Sequence, residues 1–130
     1  MQTDNCSVLF ADLVGFSRLV ELRQNEVIER QTRLMREITD PLLAKFDGRK
    51  VKTLGDGFMC QFQDQISAVE FSMAFLGAVK DFCALEPERD VFVFRLGLHF
   101  GEVIILEGDV LGNTVNIASR LEGISQPGSL

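Results

Sequence analysis

The chain contains no tryptophan or tyrosine, and only one histidine, three prolines and three cysteines among its 130 residues. With Trp and Tyr absent, its eleven phenylalanines make an aromatic core without polar handles, which speaks for packing rather than chemistry. Cys6, Cys60 and Cys83 are odd in number and show no Cys-x-x-Cys spacing, so neither a disulfide framework nor a zinc site is expected, and a reducing cytoplasm fits. Basic residues are in deficit, 13 against 19 acidic, leaving a net charge of −6. That balance argues against a nucleic-acid partner, because phosphate neutralisation needs clustered Lys and Arg. A phosphate-bearing ligand would have to arrive with metal ions. No run approaches the roughly 18 apolar residues of a membrane span, and the N-terminal "MQTDNCSVLFADLVGF" lacks a basic segment followed by a long apolar one. No membrane contact is expected, and there are no repeats or linker-like shifts in composition.

What is present is enough apolar content, 46%, for one core, and the length points to a single domain over residues 1–130. "CSVLFADL", residues 6 to 13, reads as a strand buried on both faces that ends near Asp12. An amphipathic helix follows from a cap at Asn25, with Val27, Leu34, Ile38, Leu42 and Phe46 at helical spacing and a kink or restart at Asp40-Pro41. "KVKTLGDGFMCQF" places Asp56-Gly57 between two apolar runs, a hairpin signal with positive φ expected in the turn and strands over about 49–54 and 57–62. Asp64 caps a second helix to about Ala84, its apolar stripe read as Ile66, Val69, Met73, Leu76 and Val79. Two strands, about 91–99 and 102–107, are expected to join near Gly101. A short helix then runs from a cap at Asn113 to a stop at Gly123. The order strand, helix, strand, strand, helix, strand is that of a ferredoxin-like βαββαβ core, an α+β antiparallel sheet with helices on one face, followed by an extra strand and helix.

On that topology the first strand is expected beside the hairpin's first strand, which would let Asp12 and Asp56 approach each other. Two carboxylates with backbone carbonyls are the hard-oxygen set that Mg²⁺ takes, with substrate phosphates filling the remaining positions. Asp56 can equally do no more than turn the chain. Lys52 and Asp56 are separated by up to about 13 Å in extended chain and are not expected to pair, and a lone strand lysine is commonly solvated. Asn116 and Arg120 stand at i and i+4 on the last helix and can touch one ligand, although Arg120 can instead pair with Glu122. His99 reads as structural, Cys60 and Cys83 as core fillers, and Met35, Met59 and Met73 as packing.

Taken together, "FADLVGFSRL", "VKTLGDGFM", "RLGLHFGEV" and "GDVLGNTVNIASRLE" resemble the class III adenylate and guanylate cyclases, in the family's order and over most of the chain. The resemblance implies a ferredoxin-like central fold and conversion of a nucleoside triphosphate to its 3′,5′-cyclic monophosphate and pyrophosphate. It assigns Asp12 and Asp56 to two divalent cations, Mg²⁺ or Mn²⁺, with the Leu13 carbonyl as a further ligand. Lys52 and Asp109 match the base-selecting pair, Asn116 the ribose-orienting residue, and Arg120 the transition-state arginine. Relatives resembling guanylate cyclases carry Glu and Cys where this chain has Lys52 and Asp109, so ATP is the substrate implied. The family divides these residues between two subunits, which implies a homodimer with two equivalent sites. Family chains usually continue past "GSL" with further sheet elements and a phosphate-contacting lysine, and regulatory domains belong to longer members. A non-catalytic cyclase-like module is the rival reading. The hairpin at Asp56 does not suit the parallel topology of a receiver domain, and "GDGFM" lacks the diguanylate cyclase signature.

Overall fold

The computed structural model describes all residues from Met1 to Leu130. Its elements are β1 (Gln2–Leu13), α1 (Phe16–Leu34), a π-helical turn (Met35–Thr39), α2 (Asp40–Lys45), β2 (Arg49–Leu54), β3 (Gly57–Phe62), α3 (Gln65–Ala84), β4 (Phe94–Leu106), β5 (Asp109–Leu111) and α4 (Asn113–Ile124). The strands form one sheet in the order β2-β3-β1-β4-β5, every neighbouring pair antiparallel. The first four strands are the ferredoxin-like core, with β5 and α4 added at the end. No helix is long and apolar enough to cross a membrane.

Alternation along the central strand separates two cores. Leu9, Ala11 and Leu13 face α1 to α3, where Val27, Leu34, Leu43, Phe71 and Phe75 close over them. Phe75 is the hub of that layer, edge-on to Phe58 at 5.4 Å and to Phe94 at 5.1 Å. Cys6 and Val8 face the other way, into a smaller core with Met59, Val103, Val110 and Ala118 of α4. The helices of the ferredoxin-like core therefore share one face, and the added α4 covers part of the other.

Several local expectations change. β1 begins at Gln2, and it lies beside β3, the hairpin's second strand, because a strand between β3 and β4 buries both of its faces. The first helix starts at Phe16, after Gly15 in the left-handed region at φ 69°, and Asn25 caps nothing; the nearest break is a kink at Arg23 (φ −148°). The restart expected at Asp40-Pro41 is present: a π turn shifts the hydrogen-bond register, and α2 then starts at Asp40 with the proline in its first turn. On α3, capped as expected by Asp64 through Ser67, the buried stripe is Ala68, Phe71, Phe75, Val79 and Phe82; Ile66, Val69 and Met73 are exposed. The helix is apolar on most sides, so spacing alone admits two stripes, and the phenylalanines bury more area. Met59 is buried as expected and Met35 packs against the larger core.

β4 is continuous through Gly101, and the turn falls instead at Glu107-Gly108, both in the left-handed region at φ 51° and 81°. Gly101 and Gly97 are seats for α4. A Cβ on Gly97 would lie 2.1 Å from the Glu122 amide nitrogen and 2.4 Å from the Ala118 carbonyl, and one on Gly101 would lie 2.5 Å from the Thr114 hydroxyl. Thr114 in turn donates to the Glu102 carbonyl at 2.7 Å. Gly97→Ala is expected to destabilise the fold by about 2–3 kcal/mol, since backbone on both sides cannot yield. Gly123→Ala, with nothing within 4 Å, is the control and is expected to be neutral or slightly stabilising. Denaturant titration distinguishes the two, and equal stability for both would refute the close seating of α4. Gly123 lies inside α4, and Asn113 is its first residue rather than a side-chain cap.

Candidate active site

Asp12 sits at the end of β1, in register with Gly57 at the start of β3. The β2–β3 turn consists of Gly55 and Asp56, between the paired Leu54 and Gly57, and neither turn residue takes a positive φ. Gly57 is required by proximity instead: a Cβ there would stand 1.8 Å from the Ala11 carbonyl oxygen. That close approach lets the Leu13 amide donate to the Asp56 carbonyl at 2.6 Å and brings the two carboxylates together. Partial burial, a hydrogen bond with Asp56 and the repulsion of the Asp56 charge push the Asp12 carboxyl up to about 7, against some relief from Arg95. The pair does not tolerate two negative charges easily by itself, and a cation would relieve it. No cluster of three or more His, Cys, Asp or Glu side chains forms a closed metal site. An ion held here would draw its other ligands from backbone carbonyl, water or phosphate, a set that suits Mg²⁺.

Lys52 and Asp109 lie 57 positions apart and meet, Lys52 Nζ standing 3.2 Å from Asp109 Oδ1 and 3.3 Å from Oδ2. Their strands are the two edges of the sheet, so the sheet curls until its edges touch. Lys52 therefore has a carboxylate partner, although its side chain remains exposed. A backbone amide bond from Val110 and the Lys52 ammonium hold the Asp109 carboxyl below the usual carboxylate range.

Asn116 and Arg120 are exposed on α4, and neither side chain has a hydrogen-bond or ion-pair partner. Glu122 does not pair with Arg120. Two residues further along a helix it points away from it, toward the sheet. There its carboxyl is pushed up by burial and by the charge of Asp56, and Arg95 opposes the rise. The sequence reading set Glu122 only against Arg120 and passed over Arg95: the nearness of Glu122 to Asp56 depends on α4 folding back over β4, and that of Arg95 to Asp12 on the β1–β4 register, neither of which any spacing signals. His99 is half-buried on β4 opposite Val8, with no side-chain hydrogen bond, so the structure gives it no catalytic partner.

No hydrogen bond or ion pair joins the Asp12–Asp56 pair, the Lys52–Asp109 pair and the Asn116–Arg120 face to one another. A cleft of about 440 Å³ lies elsewhere, lined by Arg23, Glu26, Glu88, Arg89 and Asp90. Its charges are satisfied among themselves, Arg23 with Asp90 at 2.7 Å and Arg89 with Glu26 at 2.9 Å, and present little to a ligand.

The adenylate and guanylate cyclase catalytic domain model matches residues 1–130. The chain belongs to that family. An adenylate cyclase of Streptomyces coelicolor is 36% identical over 119 residues, and one of Streptomyces griseus 34% identical over 118. Those matches cover 92% and 91% of this chain but 30% and 28% of the relatives, so the chain spans less than a third of their length. Guanylate cyclases also stand among its relatives. An adenylate/guanylate cyclase/hydrolase from Silicibacter pomeroyi superposes with a TM-score of 0.87 at 34% identity, over 98% of this chain and 74% of that one. The cyclase fold is thus shared along with the sequence, including the curled antiparallel sheet.

Proposed function

We propose that this cyclase domain converts ATP to 3′,5′-cyclic AMP and pyrophosphate at a site shared by two identical chains. The observation that carries the reading is the meeting of Lys52 and Asp109 across the sheet edges. An ammonium donor can reach the adenine N1 acceptor and a carboxylate can accept from the 6-amino group, whereas guanine, with a carbonyl at C6 and a proton on N1, reverses the demand. Asp12, Asp56 and the Leu13 carbonyl are assigned to two divalent cations, Mg²⁺ or Mn²⁺, which when bound would lower the pKa of the ribose 3′-hydroxyl and steady the triphosphate. Asn116 orients the ribose. Arg120, one helical turn along the same face, neutralises charge developing on the α-phosphate and the departing pyrophosphate.

The division between subunits has a physical basis in the chain itself. Asn116 and Arg120 face outward with no hydrogen bond or ion pair to the carboxylates of their own chain, so a second copy related by a two-fold axis would bring complementary halves together twice. Three free, buried thiols accord with a cytoplasmic setting, where ATP and divalent cations are at hand. Cyclic nucleotide formation from ATP and from GTP at equal concentration, with Mn²⁺, tests the reading. The expected ratio of kcat/KM favours ATP by about tenfold or more. Faster turnover of GTP would overturn the base assignment, and no cyclic product from a proven dimer would leave a nucleotide-binding module.

A further inference from the structure

We propose that Arg49, whose guanidinium bonds to Gln61 and Gly108, is a positioning residue that fixes Asp109 and so sharpens the choice of base; this rests on the base-reading role given above to Lys52 and Asp109. The starting point is an irregularity in β2. Its register with β3 runs Arg49 to Gln61 and Lys50 to Cys60, then slips so that Lys52 faces Met59, leaving Val51 as an extra residue. In a regular strand, side chains three apart point to opposite faces. The bulge cancels that alternation, and Arg49 and Lys52 come to share the face of Gln61 and Met59.

Arg49 uses this placement to span the curl of the sheet. Its Nε donates to Gln61 Oε1 at 2.9 Å, its Nη2 donates to the same oxygen, and Nη2 also reaches the Gly108 carbonyl at 3.2 Å. Gln61 is a firm anchor, only 7% exposed, with its own amide directed at the Cys6 sulfur. Gly108 immediately precedes Asp109 in the left-handed turn of Glu107 and Gly108. β5 has three residues and pairs with β4 alone, so its ladder holds Asp109 weakly. The chain from buried Gln61 through Arg49 to Gly108 therefore supplies what that short strand lacks. The guanidinium also adds to the positive field that keeps Asp109 ionised, and hence an acceptor, behind the larger contributions of Val110 and Lys52.

The experiment compares kcat and KM for Mn²⁺-ATP and Mn²⁺-GTP, with melting temperatures, in the wild-type chain, Arg49→Met, Arg49→Lys and Asp109→Ala. Arg49→Met is expected to lower the ATP:GTP ratio of kcat/KM about tenfold, through KM for ATP, with kcat changed less than about twofold. Arg49→Lys keeps the charge and one of the two contacts, and is expected to recover part of the preference even if the Met variant folds poorly. A purely structural arginine would shift the melting temperature, or affect both nucleotides equally, without touching their ratio. That result, beside an Asp109→Ala variant that does lose its preference, overturns the role of Arg49. An unchanged ratio in Asp109→Ala removes the base assignment itself and this proposal with it.

Discussion

Asp56→Asn is expected to abolish cyclic AMP formation, by about 100-fold or more, and at the same time to make the cation-free protein more stable above pH 7. The two effects share a cause. The Asp12 carboxyl is raised from 3.8 to about 7, first by burial and then by Asp56, so the folded state holds this proton more tightly than the unfolded chain does. Linkage gives the sign: the stabilising contribution is complete below about pH 4, declines as pH rises through 7, and is gone above it. Because Asp12 is only partly buried, solvent screening reduces the cost of ionising it to about 1–2 kcal/mol. Removing the Asp56 charge relieves its share of that cost at pH 8, burial keeping the rest, and it also removes the cation's foothold. Thermal unfolding of wild type and Asp56→Asn at pH 8, with and without Mn²⁺, tests both halves. The expected result is a higher melting temperature for the variant without cation and a smaller shift with it. A variant less stable than wild type without cation, and shifted equally by Mn²⁺, would show that the two carboxylates do not form the site.

Arg120→Ala is expected to lower kcat by about 100- to 1,000-fold while KM for ATP stays within about threefold, because its charge matters most when the α-phosphate and leaving group carry theirs. The side chain is exposed and unpaired, so folding stability is expected to change by no more than about 0.5 kcal/mol. Arg120→Lys is not expected to restore the rate, since a point charge lacks the planar fork. An effect confined to KM would contradict the transition-state role. Mixing Asp56→Asn chains with Arg120→Ala chains is expected to return part of the activity, as each mixed dimer would hold one intact site; inert mixed dimers would argue against a shared site.

The local sequence determined the elements whose signals are themselves local. Strands β2 and β3 appear at the expected residues, and Asp64 caps α3 through the Ser67 amide. The ferredoxin-like order of elements followed from hydropathy period together with cap and turn residues, and the four short stretches carried the family. Other choices could be made only by the folded chain. Glycine marks either a turn or a close contact, and nothing in "GDG" or "HFG" says which; Gly57 and Gly101 prove to be contacts, so the β4 turn moved to Glu107-Gly108. Two stripes compete on α3 because the helix is apolar on most sides, and burial of Phe71 and Phe75 decided between them. The site shows the division most clearly. Residue types at Asp12, Asp56, Lys52 and Asp109 were legible; the approach of Asp12 to Asp56 was expected as well, though from the wrong strand neighbour, whereas no spacing showed Lys52 meeting Asp109. The first pair needs β1 beside β3 and the second needs the sheet to curl edge to edge, both long-range consequences of packing helices against its faces. Sequence spacing reports what lies within a few residues. Contacts 57 positions apart, and the bulge that turns Arg49 and Lys52 to one side, exist only once the sheet has closed.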